Sequence, residues 1–201
     1  MSTPEPSVGE VLRDRVAAAH NRRTAELRGA AAEAARRLAG RLAVAATLRL
    51  VLEGAGGGEW HLVVRDGEMR VETASDDAPV MTVFQSVVDW QRLLAAGKGL
   101  FVGRGGGVEL SPARVARLRA LSGALEFRLT EVDGGQPVKV LLQLGGARER
   151  RAPATTLTLR AEDAQRMHAG ELAPPQAMMQ GLVQLAGDAA LAMQVGAALF
   201  M

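Results

Sequence analysis

The chain carries a pattern twice, and any fold it adopts must accommodate that. Leu48-Arg49-Leu50 is matched by Phe127-Arg128-Leu129, and each triplet leads into a glycine-rich turn, 54–58 and 133–137. A strand-like run follows each turn, starting at Trp60 and at Val138. Next come Val80–Phe84 and Thr156–Arg160, then short segments led by Asp89 and Asp163 that end at Gly97 and Gly170. Further on, Val108, Leu110, Ser111, Pro112 and Leu118 fall opposite Val183, Leu185, Ala186, Gly187 and Met193. The offset drifts only from 79 to 73 residues while the order of elements is kept. Self-similarity of this kind is the mark of duplicated structure. The expected division is a tail and Arg/Ala-rich helix over 1–46, a first and degraded unit over 47–121, and a second unit over 122–201.

Periodicity assigns the elements within each unit. Residues 47–54, 60–67 and 68–74 alternate apolar and polar side chains, as a half-buried antiparallel sheet requires. Asp66-Gly67 between two such runs signals a type I′ hairpin. Asp89 is placed to cap a helix from Trp90 to Ala96, Ser111-Pro112 opens another to about Leu121, and Pro174-Pro175 a third. In the second unit, strands are expected in 124–132, 138–146 and 155–160, with a helix between Asp163 and Gly170. This is an α+β plan, mostly antiparallel sheet covered by helices, not a doubly wound parallel fold. Whether the two units form two sheets or one is open at this level.

The N-terminal stretch has a different character. Residues 1–7 read as a disordered polar tail, and Val8 to Ala46, rich in Ala, Arg, Glu and Leu and free of proline, as one or two helices. Val11, Leu12, Val16, Leu27, Leu38 and Leu42 form a thin apolar stripe among eight arginines. The readings are a solvated helix packed on the domain, a dimerisation helix, or one that meets a membrane surface or partner protein.

Composition removes several classes of function. With 201 residues the chain buries roughly 70 % of its unfolded surface without staples. It has no cysteine, which excludes disulfides and thiolate metal sites and is compatible with a cytoplasmic protein. Tyrosine is absent, aromatics are 3 % and the net charge is +2, so neither stacking platforms nor a basic footprint for nucleic acid is present. No signal-peptide core and no uninterrupted apolar run of spanning length is found. Catalytic serine, zinc-protease, Walker and dinucleotide motifs are missing, and no cofactor or metal is implied. The glycine-rich 103–107 reads as a flexible turn.

With the elements in order, the second unit resembles the sterol carrier protein type 2 family. The landmarks are Gly134-Gly135, Thr156 to Leu159, Asp163 to Gly170, Pro175, Ala177, Gly181, Val183, Leu185, Gly187, Asp188, Ala192 and Met193. The resemblance covers Gly123 to Met201, and Thr47 to Leu121 more weakly through the internal repeat. Gln184 stands where the family often has a basic residue. In the first unit Pro112 stands in the place of Gly187, and Arg114, Arg117 and Arg119 follow it. The resemblance implies an apolar tunnel between sheet and C-terminal helices that holds a lipid, sterol-like, isoprenoid or acyl ligand.

Residue chemistry points to the same region. Met178, Met179, Leu182, Leu191, Met193, Val195, Leu199 and Phe200, with Met167 and Leu172, are the expected ligand-binding side chains. Methionine adapts to irregular apolar ligands, and Ala189, Ala190, Ala192, Gly196, Ala197 and Ala198 leave room beside it. Three functions fit: a carrier of a hydrophobic small molecule, an isomerase or cyclase acting on a polyketide- or terpene-like substrate in the same cavity, and an accessory subunit presenting a lipid to partner enzymes. The enzyme would need a buried acid, base or donor, for which Asp188, His168 and Gln184 are the candidates. Asp188 has a competing role as cap of the last helix.

Overall fold

The computed structural model describes residues 18–97, 110–146 and 149–200, without the side chains of Ala18, Ala19, His168 and Phe200. Val11, Leu12, Val16, Val108, the 103–107 turn and Met201 lie outside the described residues. The chain divides into two compact units, Met1–Arg41 and Leu42–Met201. In the first, helix α1 (Ala18–Leu42) is a single helix rich in alanine and arginine, both good helix formers. Leu27 and Leu38 are exposed, Glu33 and Arg37 pair one turn apart, and Thr24 Oγ1 donates to the His20 carbonyl.

The second unit is built on one eight-stranded sheet in the order β3-β2-β1-β4-β6-β5-β7-β8. Strand β1 (Ala46–Glu53) pairs antiparallel with β2 (Gly58–Arg65) and parallel with β4 (Met81–Ser86). Strand β5 (Gly123–Thr130) repeats that connectivity, antiparallel to β6 (Val138–Leu144) and parallel to β7 (Thr155–Arg160). An antiparallel ladder from β4 to β6 joins the two triplets. At the ends lie β3 (Glu68–Glu72) beside β2 and β8 (Val183–Gly187) beside β7. The question of one sheet or two is thus settled as one.

In both triplets the parallel strand runs directly into a helix, α2 (Val87–Ala95) after β4 and α4 (Ala161–His168) after β7. Helix α3 (Pro112–Ala120) precedes β5; α5 (Pro174–Met179) and α6 (Ala189–Phe200) flank β8. Two boundaries differ from expectation. Helix α2 begins three residues before Trp90, because Ser86 Oγ accepts from the Asp89 amide at 3.0 Å; Asp89 lies in the first turn and is not the cap. Likewise α4 starts at Ala161, and Asp163 is buried in its first turn, paired with Arg166. Asp66-Gly67 does form the turn between β2 and β3, with φ of 52° and 78°, both positive as type I′ demands.

The helices cover one face of the sheet. There Leu48, Val83, Leu125, Val138, Val140 and Leu142 pack against Leu93 of α2, Val115 and Leu118 of α3, and Leu191, Ala192, Val195 and Ala198 of α6. Each fully buried leucine contributes about 1.5–3 kcal/mol of transfer free energy. The other face has a polar row across four neighbouring strands, His61, Arg49, Thr82 and Gln143, each directly paired with the next and all buried. Arg49 donates to both oxygens of Glu59 at 2.7 and 2.6 Å, and His61 Nε2 lies 3.0 Å from Oε1 of the same carboxylate. The Arg49 guanidinium holds the Glu59 carboxyl below its usual range. Gln143 anchors the segment that crosses this face: its Nε2 donates to the Glu149 carbonyl and its Oε1 accepts from the Arg151 amide.

Candidate functional site

The strand pattern of the second triplet leaves Phe127, Leu157 and Leu159 on the helix-facing side of β5 and β7. Helices α4, α5 and α6 stand over these residues without closing completely on them, and a cavity remains. Its walls are Phe127, Leu157, Leu159 and Val183 from the sheet, Met167 from α4, Pro174, Pro175 and Met178 from α5, and Ala192, Met193, Val195, Gly196 and Ala197 from α6. Every one of these side chains is apolar. The water-accessible volume is about 40 Å³, and the whole free space with the mouth included is about 550 Å³. The first figure is room for a few waters only. The second figure is mostly open solvent at the mouth. A molecule of lipid size would fit only if flexible walls moved, and Met178 and Met193 are the most adaptable of the lining side chains.

Local sequence accounts for the shape. Small residues on α6, Ala192, Gly196 and Ala197, keep that wall thin; a Cβ built on Gly196 meets nothing nearer than Pro174 Cβ at 3.9 Å. The approach of α6 to the sheet is set by Gly187, whose φ is 104° and whose built Cβ would lie 2.2 Å from the Ala154 carbonyl oxygen. Only glycine fits there. Asp188 follows, and its Oδ1 accepts from the amides of Ala190 and Leu191 at 2.9 and 3.1 Å, an N-cap that starts α6 at this point.

Of the sequence-derived ligand candidates, Met167, Met178, Met193 and Val195 line the cavity. Leu172 and Leu191 are buried in the surrounding core, and Leu182 and Leu199 pack against it without lining the cavity. Met179 is 83 % exposed and outside the lining. The side chain of Phe200 lies outside the described residues, as does that of His168. Gln184 is exposed on β8, paired with Thr158 in the register between two cavity-wall residues, so its side chain falls on the opposite face. Asp188 is exposed and engaged as a cap. The wall residues not among the expected ligand-binding side chains are those of β5 and β7, Val183 of β8, the two prolines and the small residues of α6, although Leu157 and Leu159 show the alternation that would have placed them on one face.

Among the described residues, no group of three or more His, Cys, Asp or Glu could hold a metal ion. No described helix is long and apolar enough to cross a membrane. His61 is buried on the far face, and its Nδ1 has no partner among the described residues.

Three solved structures illustrate what the chain is similar to. Sterol carrier protein 2 like 2 from Aedes aegypti is 21 % identical, with a TM-score of 0.32, over 39 % of this chain and 75 % of that one. Sterol carrier protein 2 from Yarrowia lipolytica, in its apo form, is 14 % identical with a TM-score of 0.36, over 44 % and 74 %. A UbiJ-SCP2 ubiquinone synthesis protein is 16 % identical with a TM-score of 0.31, over 56 % and 92 %. No curated protein matches the chain. The family model described as the SCP-2 sterol transfer family matches residues 108–200, the segment that contains α3, the second strand triplet and all the walls of the cavity. Over that segment the chain is similar to the SCP-2 sterol transfer family.

Proposed function

We propose that the protein binds and carries a hydrophobic small molecule, of lipid, sterol-like, isoprenoid or acyl type, in the cavity between β5, β7, β8 and helices α4 to α6. The observation that carries this reading is the uniformly apolar wall, with two methionines at positions where a ligand must push in. Apolar surface buried there contributes about 25 cal/mol per Å². The match of residues 108–200 to the SCP-2 sterol transfer family supports the same reading. Of the acid–base candidates, Asp188 is occupied as a helix cap and Gln184 lies on the other face. The cytoplasm is the compartment in which we place this activity.

The same reading takes residues 47–121 as a degraded copy of 122–201. Shared strand connectivity supports it, and so does the spacing of the helix that follows: caps Ser111 and Asp188, and buried Leu118 and Val195, both stand 77 residues apart. The exposed leucines of α1, set among six arginines, support an accessory role in which this helix meets a membrane surface or a partner protein.

The test is native mass spectrometry of freshly purified protein, with the released ligand identified after organic extraction. A co-purified lipid-class molecule at one per chain, lost in Met178→Trp, is the expected result. Protein that is empty and also fails to enhance the fluorescence of an apolar naphthylamine dye overturns the proposal.

A further inference from the structure

The sheet ends on one side at β3, a strand whose five residues are all exposed. Two of them are apolar and face the helix side: Met69 is 53 % and Val71 66 % exposed. The other three, Glu68, Arg70 and Glu72, alternate in charge on the opposite side, with Arg70 Nη2 donating to Glu68 Oε2 at 3.0 Å. Natural edge strands usually carry charge of a kind that discourages pairing. This edge mixes both signs within five residues, and the positions of those charges permit a specific partner.

The hairpin geometry says which backbone groups face outward. A two-residue turn closes on a hydrogen-bonded pair, here Arg65 with Glu68, and antiparallel pairs alternate from there. Arg70 and Glu72 therefore bond back to β2, and the amides and carbonyls of Met69 and Val71 point away from the sheet. A second copy of β3 related by a two-fold axis can meet this edge in three registers. Centred on Arg70, it sets Arg70 against Arg70 and Glu68 against Glu72, like charges on every polar pair. Centred on Met69, it runs into the Asp66-Gly67 turn. Centred on Val71, it sets Arg70 against Glu72 twice, joins Val71 to Val71 through their outward amides, and covers both exposed apolar side chains. Cross-strand pairs of opposite charge are favourable and like charges unfavourable.

We propose that the partner of this edge is a second copy of the same chain, joined β3 to β3 antiparallel about Val71, so that the two eight-stranded sheets become continuous. One strand pair is less than the area of a standard stable interface, so the association is concentration-dependent, and its charge pairs make it weaken with salt.

Sedimentation of the full chain over a range of concentrations tests this directly. The expected result is a monomer–dimer equilibrium that weakens about tenfold or more in Arg70→Glu. Glu72→Arg does the same, and the double variant Arg70→Glu/Glu72→Arg recovers dimerisation. Recovery by the double variant separates loss of pairing from loss of folding. A chain that stays monomeric at all concentrations overturns the proposal, as do single variants that dimerise normally and a double variant that fails to recover. A dimer abolished instead by Leu27→Glu/Leu38→Glu in α1 also overturns it.

Discussion

Arg92 of α2 closes a two-bond fork on Asp133 in the β5–β6 turn, Nε to Oδ2 at 2.7 Å and Nη2 to Oδ1 at 2.5 Å. The same guanidinium reaches the Gln136 carbonyl and Asp89, so one side chain of the first triplet's helix fixes the turn of the second. The Arg92 bonds, with help from the Gly135 amide, hold the Asp133 carboxyl well below its usual range, and Asp133 pushes the Arg92 guanidinium higher still. A carboxyl depressed in the folded state stabilises the protein above its unfolded value of about 4, and that contribution is lost as pH falls toward the folded value. Asp133→Asn should thus melt below the wild type at pH 7, with the gap in Tm narrowing as the pH is taken under about 4. A gap that is constant with pH would detach Asp133 from this pairing.

Gly187→Ala should cost roughly 3 kcal/mol or more, the size of effect reserved for backbone strain combined with a clash. The new methyl group would stand 2.2 Å from the Ala154 oxygen at a φ of 104°. Chemical denaturation followed by circular dichroism measures it.

Gly196→Ala separates stability from binding. Inside α6 the change to alanine should stabilise the helix by roughly 0.5–1 kcal/mol, since a Cβ there finds free space. The same methyl narrows the cavity wall, so uptake of an apolar dye should fall several-fold while Tm rises.

The caps of α3 and α6 should also be separable. Asp188→Ala and Ser111→Ala each remove side-chain bonds to first-turn amides and should each cost about 1 kcal/mol. Only the first frays a helix that forms the cavity, so only the first should weaken dye binding.

Much of the sheet was legible because strands announce their faces. Leu48 and Leu50, or Leu125, Phe127 and Leu129, alternate with polar neighbours, and Asp66-Gly67 has one obvious turn to make. Cavity residues on helices were harder. Matched at 75 residues, Leu118 falls opposite Met193; matched by the caps Ser111 and Asp188, it falls opposite Val195, and Leu118 and Val195 are both almost fully buried. A slip of two residues leaves a strand on the same face and turns a helix by about 200°. Met193 is 47 % exposed at the cavity mouth. Methionine content located the region, but it gave no direction, and Met179 points outward. Ser86 was overlooked as a cap because Asp89, three residues on, has the more familiar side chain for that role.

The ladder between β4 and β6 bears on how this protein can be cut. A fragment starting at the second triplet would keep the cavity walls but strip β6 of its neighbour, baring the backbone along Leu141 to Leu144 where Phe84 to Met81 had been bonded. Such a raw, apolar margin invites pairing with any strand at hand. The second triplet therefore depends on the first to cover that edge: β4 occupies the ladder positions that β6 would otherwise leave open.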